Sequence, residues 1–460
     1  LFPAASPKTA LLDNSQASSR VDQAAAVIIV LAYAGLQTLL AIGHQPWRDE
    51  AQAWLWAGAL SQPFEFFVIP GEGHPPLWFW LLRALSLLTD FSHARYFTLV
   101  VAIINALLLA RLLGRNILLL FIMLAGQAVL SYWGYHFRPY GLVLTAILAT
   151  LLLDRAGRHV AATWALALAC GLHFFAGLLF AFWLLVQLQR GLPLRHLVGP
   201  SVVAALFGLS AVLSGLGNTS AGHGIQNLWT NVFYALAWPV PWPQFRTWPV
   251  ALITMCLLTF GLWRHRFVLI CMLVLMLAFA LGTAAIYGQS PWHSAFMLML
   301  VFVSFIVTRE QRRLWVLVML LAPNAVAGIS STRIRLADPA WTKQDLYLTI
   351  LGDAGPSFDP ATQLVAWQDF NLSTTAAVHG ISYISGNNGK TLGPIDWRDR
   401  REGAISNTVT EIPTPYWMVC AQCELVLEKI QAAGRIATEL ATETNADDGD
   451  ISAFRIDGPN

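Results

Sequence analysis

Apolar residues run along this chain in long unbroken blocks, not in the alternation of a half-buried strand or the one-sided stripe of a surface helix. Blocks of up to about 22 residues fall near 24–43, 96–113, 117–131, 139–153, 160–172, 174–189, 197–215, 247–263, 267–286, 293–308 and 314–329. They suit a ~30 Å hydrocarbon core if some helices tilt or are partly buried in protein. The pattern therefore predicts an all-α polytopic membrane protein with about eleven transmembrane helices. The fifth and sixth blocks are short and share the junction Leu172-His173-Phe174, so one long broken helix is an open alternative there.

Polar positions between the blocks set the orientation. Alternate junctions carry Arg111 with Arg115, Arg155 with Arg158, Arg190 with Arg195, Arg264 with Arg266, and then Arg309, Arg312 and Arg313. The positive-inside rule assigns all five junctions to the cytoplasm. The N-terminus, a polar tail over 1–23, is then cytoplasmic and the C-terminus lies outside. The 24–43 block has no small-residue cleavage site, so it reads as a retained helix and not as a removed signal peptide. On the outer side fall a long first loop, 44–95, a second loop rich in Trp and Pro, 216–246, and a polar tail of domain size, 330–460. Within the tail, Thr362–Trp367 and Trp417–Cys420 read as strands and Glu424–Ala441 as a helix, which predicts a small C-terminal extracytoplasmic α/β domain. The domain plan is thus the 1–23 tail, a 24–329 transmembrane region that includes the first loop, and the 330–460 domain.

Composition narrows the functional classes. With 56% hydrophobic and 12% charged residues in 460, the chain has too little polar surface for a soluble fold of this size. A net charge of +2 without a basic stripe excludes nucleic acid as a partner. Cys170, Cys256 and Cys271 lie in apolar runs and are expected to pack as small hydrophobes. Cys420-Ala421-Gln422-Cys423 has redox spacing, but in an oxidising compartment and without a thioredoxin-like pattern it predicts a local disulfide.

The chemistry-bearing residues cluster at the predicted outer ends of the spans. Directly after the first block comes Trp47-Arg48-Asp49-Glu50-Ala51. Carboxylates beside apolar helix are partly desolvated, which favours a general base; the plainer reading is that Asp49 or Glu50 caps a surface helix starting near Ala51. Gly71-Glu72-Gly73-His74-Pro75-Pro76 forms a rigid turn that sets Glu72 and His74 at a defined point, or else a turn whose histidine bonds only locally. His136-Phe137-Arg138-Pro139-Tyr140 places an arginine at a membrane boundary on the side that the positive-inside rule disfavours. Such a guanidinium either snorkels to headgroups or binds an anion, and a lipid phosphate fits its fork. His173 and His293 occupy two further outer junctions.

In order and topology these elements resemble the protein O-mannosyltransferase and aminoarabinose transferase branch of the GT-C glycosyltransferases, over roughly residues 24–330. The residues that carry the resemblance are the acidic pair after the first span, His-Pro-Pro-Leu-Trp in the first loop, Arg-Pro-Tyr at the start of the fourth span, and a His-aromatic pair between the fifth and sixth. The resemblance implies a polyprenyl-phosphate-linked sugar donor, an inverting transfer, and an extracytoplasmic acceptor that is a glycan, lipid or protein. It further implies a bacterial plasma (inner) membrane location. Asp49 matches the family's catalytic aspartate and Glu50 its acidic neighbour, while Arg138 and Tyr140 match the element near the donor phosphate. Glu72, His74, His136, His173 and His293 are the other expected substrate-binding positions. The aminoarabinose enzymes place a metal-binding Glu immediately before a basic residue and Pro-Pro. Here Gly73 intervenes and His74 holds the basic position, so Glu72 and His74 are the candidate ligands for a divalent ion.

The residues fit this chemistry without the family name. Displacing a lipid phosphate from an anomeric carbon needs a base for the acceptor hydroxyl, a role for Asp49, and positive charge for the departing phosphate, a role for Arg138. A lipid-linked saccharide transporter or flippase would carry charge near the middle of its helices and often repeated halves, and neither is visible. A polymerase or ligase using a lipid diphosphate donor shares most of these demands and is the nearer alternative.

Overall fold

Each of the eleven apolar blocks is helical in the computed structural model, which describes residues 7–44, 46–69, 72–114, 116–216, 225–286, 293–308, 313–337, 344–368, 372–395, 404–445 and 449–459. Arg115, Arg309, Arg312 and Gly71, which figure in the sequence patterns above, lie outside the described residues. In lipid the backbone must satisfy its own polar groups, which is why the apolar runs wind into helices. By length and composition, five helical stretches among the described residues can cross a bilayer: Val21–Gly43, Phe91–Leu113, Leu194–Gly215, Arg266–Ala285 and Leu314–Leu336. A sixth is formed if Ile117–Ala125 and Ala128–Tyr135, bent by 57°, count as one. His159–Ala169, Ala176–Gln189, Trp248–Leu262 and Ser294–Thr308 are shorter apolar helices.

The described residues divide into two units. The first lies within Leu1–Ile42, Tyr96–Gly208 and Ala221–Ala337, the second within Gly43–Arg95, Leu209–Ser220 and Asp338–Asn460.

In the first unit the bent pair is tied down by neighbouring helices. Ala128–Tyr135 has π-helical bonding, and Tyr33 Oη and Gln37 Nε2 donate to Val129 O at 3.0 Å and Leu130 O at 2.7 Å. Gly328 packs against the break itself: a Cβ there would fall 2.1 Å from Ala125 O, so only glycine fits. The 160–189 stretch is not one broken helix. Trp183 Nε1 donates to Thr163 Oγ1 at 3.1 Å, and these residues are equidistant in sequence from His173, so two antiparallel helices fold back around the His173 turn. The other ends of these helices are clamped by Asp154. Its carboxylate accepts from Arg190 Nη1 at 2.9 and 3.1 Å and pairs with His159 Nδ1 at 2.8 Å, while Arg190 Nη2 donates to Val307 O at 3.1 Å.

The second unit is built on a six-stranded sheet of order β3-β2-β1-β4-β6-β5. Its strands are β1 (Leu364–Trp367), β2 (Tyr383–Ser385), β3 (Thr391–Leu392), β4 (Tyr416–Ala421), β5 (Ile436–Asn445) and β6 (Gly449–Asp457). β1 runs parallel to β2 and β4, and β6 is antiparallel to β4 and β5. Both faces are buried: Leu364, Ala366, Trp417 and Val419 enter one core, Val365, Trp367, Met418 and Cys420 the other. The helix expected over Glu424–Ala441 stops at Ala432. Gly434, at φ +75°, ends it, and the following Ile436–Asn445 run, with its Ile and Thr residues, forms β5. Cys420 and Cys423 are bridged by a disulfide. The first loop packs on this sheet domain. Gln52 Nε2 and Trp56 Nε1, from the helix Arg48–Ala59, both donate to Ile395 O, at 2.6 and 3.2 Å, and Leu55 packs into the first core.

Candidate functional site

The acidic pair after the first span sits in the first turn of the Arg48–Ala59 helix, and the turn gives its two members different environments. Glu50, at the third helical position, reaches back to accept from the Trp47 backbone N–H at 3.0 Å and from His44 Nε2 at 2.9 and 3.0 Å. Its side chain is 0% exposed. The Glu50 side chain thus caps the helix start from its third position, so the plainer reading describes Glu50. Asp49 projects from the same turn with 36% of its side chain exposed, 3.7 Å from Arg48 Nε.

Glu72 and His74 share one turn. Gly73 between them adopts φ +61°, which brings Glu72 Oε2 to 3.6 Å from His74 Nδ1. That nitrogen is 2.8 Å from the carbonyl of Glu72, and Glu72 Oε1 is buried without a hydrogen-bond partner among the described residues. No third His, Cys, Asp or Glu among the described residues completes a ligand set with these two.

In the first unit, four of the singled-out residues converge. His136 closes the π-helical segment, Pro139 precedes the first turn of Tyr140–Arg155, and between them Arg138 is 6% exposed. It is therefore inside the protein and does not snorkel. Its guanidinium carbon lies 5.8 Å from the Tyr140 ring centre, and the Tyr140 ring is 5.2 Å from that of His173. His173 in turn is 6.1 Å from His293 and 4.7 Å from Phe296. Trp133, Phe175 and Phe296 wall the group. His173 Nδ1 accepts the Phe175 backbone N–H at 3.2 Å, which assigns the neutral ring's proton to Nε2. His136 stands slightly apart, its Nε2 3.5 Å from Ser131 Oγ and its ring 4.6 Å from that of Tyr135.

Sequence reasoning passed over Arg246. It lies in the second loop, 7% exposed, with Nε donating to Val240 O at 2.6 Å and Nη1 to Ser294 Oγ at 2.8 Å, and its guanidinium stacks 4.7 Å above Tyr234. Burial pushes this guanidinium below the ordinary arginine value, and the phenols of Tyr234 and Tyr132 partly offset that. The signal that picks out Arg138, an arginine on the disfavoured side of the membrane, applies equally to Arg246.

No protein-family model and no curated protein matches the sequence. The fold is similar to one of the GT-C type, the resemblance that the sequence motifs led us to expect. It is similar to the crystal structure of ArnT from Cupriavidus metallidurans, an aminoarabinose transferase solved bound to undecaprenyl phosphate. The TM-score is 0.53 at 12% identity, over 93% of this chain and 97% of ArnT. At that identity the likeness is one of fold.

Proposed function

We propose that this protein is an integral membrane glycosyltransferase that moves a sugar from a polyprenyl-phosphate-linked donor to an extracytoplasmic acceptor. The observation that carries the reading is the convergence of Arg138, Tyr140, His173 and His293 within a GT-C-type fold. A buried guanidinium among aromatic walls suits a lipid phosphate, because its planar fork can take two phosphate oxygens while the rings shield the site from water. His173 Nε2–H supplies a further donor toward that charge. Asp49 acts as the base: of the acidic pair it is the exposed member, whereas Glu50 is engaged in holding the helix start. As the acceptor hydroxyl loses its proton to Asp49, its oxygen attacks the anomeric carbon from the face opposite the phosphate, which leaves as the lipid monophosphate with inversion. No step is routed through a metal at Glu72 and His74. We further propose that the N-terminus is cytoplasmic and that the C-terminal domain faces outside.

A transport role has less support, because the buried charge cluster of Asp154 and Arg190 clamps helix ends and does not sit midway along the spans. The test is transfer by purified protein in nanodiscs from a broad panel of polyprenyl-phosphate sugars to cell-envelope acceptors, read by mass spectrometry. Wild type should transfer at least one sugar and Asp49→Asn should not. No transfer and no binding across the panel would overturn the reading.

A further inference from the structure

Gln37 lies within the first apolar block, in the helix Pro7–Gly43, and its side chain is fully buried. An amide inside an apolar run costs free energy unless its polar groups are met, and Gln37 meets only one side of that demand. Its Nε2 donates to Leu130 O at 2.7 Å, while its Oε1 is buried without a hydrogen-bond partner among the described residues. A half-satisfied buried amide contributes little net stability. What Gln37 does contribute is a fixed position for the backbone that it holds.

That backbone leads to Arg138. Gly134 leaves helical geometry at φ −97° and ψ −111°, so the π-helical ladder stops a turn beyond Leu130, whose carbonyl takes a donor from another helix. The Gln37 amide also fills the space beside Gly134, where a Cβ would fall 2.6 Å from Oε1 and 2.8 Å from Nε2. Just beyond, the Arg138 N–H donates to His136 O at 2.8 Å, which closes a tight turn. Past that turn the chain is fastened again, because Asn105 Nδ2, from the helix Tyr96–Leu113, donates to Gly141 O at 2.8 Å. The segment that carries Arg138 is therefore held on both sides by side chains of other helices, and Gln37 holds it at the break. We propose that Gln37 is a positioning residue for the donor phosphate: it fixes the backbone at Gly134 and so aims the Arg138 guanidinium, without itself touching the substrate. The inference rests on the glycosyltransferase reading, in which Arg138 holds that phosphate. A misplacement of about 1 Å in a binding group can cost about 100-fold, so a hydrogen bond at the break is enough to matter.

The experiment is a double-mutant cycle between Gln37 and Arg138, read as the Kd of purified full-length protein in nanodiscs for a polyprenyl monophosphate, with Tm measured on every variant. Gln37→Met keeps length and bulk but loses the donor. Gln37→Asn keeps the amide but is one methylene too short to reach Leu130 O. Each should weaken binding about five- to tenfold with Tm close to that of wild type. Arg138→Lys, which by itself should cost about tenfold or more, should cost less than about threefold on top of Gln37→Met, because a misaimed guanidinium has little bidentate binding left to lose. Wild-type affinity in the folded Gln37 variants would overturn the proposal. So would the full effect of Arg138→Lys in the Gln37→Met background, the additive result of a purely structural glutamine, or loss of the fold in both Gln37 variants. Absence of binding by wild type is a different outcome, which would count against the glycosyltransferase reading and remove this inference with it.

Discussion

Glu50 and His44 face one another at the start of the first-loop helix, with both carboxylate oxygens within 3.0 Å of the His44 Nε2 and the glutamate wholly buried. The adjacent Asp49 is left at the surface of the same turn. Two neighbouring carboxylates are thus expected to fail differently. Asp49→Asn should lower transfer by about two to four orders of magnitude, the range for loss of a general base, with unfolding temperature near that of wild type. Glu50→Gln should cost about 1–3 kcal/mol of stability, because a buried charged acceptor for His44 and the Trp47 N–H becomes neutral. Calorimetry and turnover on both variants decide it; near-normal turnover by folded Asp49→Asn would shift the base to Glu50.

Arg138→Lys keeps the charge but loses the planar fork. If Arg138 holds the donor phosphate with two parallel bonds, the lysine variant should bind polyprenyl-phosphate sugar more weakly and transfer it more slowly by about tenfold or more, since each lost charge-assisted bond is worth roughly 1.5–3 kcal/mol. Binding and rate measured side by side in the same nanodiscs provide the check, and equal values would remove Arg138 from the site.

Asp154→Asn should act on the fold alone. The Asp154 carboxylate joins Arg190 and His159 at the helix ends away from the His173 turn, so neutralising it should lower stability by about 1–3 kcal/mol. Turnover per folded molecule should stay within about twofold of wild type, because a change far from the reacting atoms adds little to the barrier. A fall in turnover matching that of Asp49→Asn would contradict the assignment.

Orientation is open to labelling. In a background with exposed Cys256 replaced by serine, a cysteine in the 190–195 turn should be shielded from an impermeant thiol reagent in intact cells, and one at the exposed Lys390, near Asn387, should react. The reverse pattern would overturn a cytoplasmic N-terminus.

The apolar blocks alone determined where the helices are, since a residue's preference for lipid over water is a local property that hydropathy reads directly. The same logic exposed Arg138, an arginine where the positive-inside rule does not expect one, and the Cys420–Cys423 spacing announced its own bridge. Other features escaped that reading. Glu424–Ala441 carries apolar residues compatible with a helix, and only Gly434 and the pairing of β5 with β6 divide it. Asp49 and Glu50 are indistinguishable by pattern, and the helix start, with His44 beside it, buries one and exposes the other. Tyr140, His173 and His293 lie on separate segments, and hydropathy does not say which segments pack together. Their meeting depended on the antiparallel hairpin around His173 and on the packing of Phe296 against both Tyr140 and His173. Tertiary packing decided the site for a physical reason: the chain records how each segment partitions between lipid and water, whereas the proximity of distant side chains depends on complementarity between helix surfaces that no single segment contains.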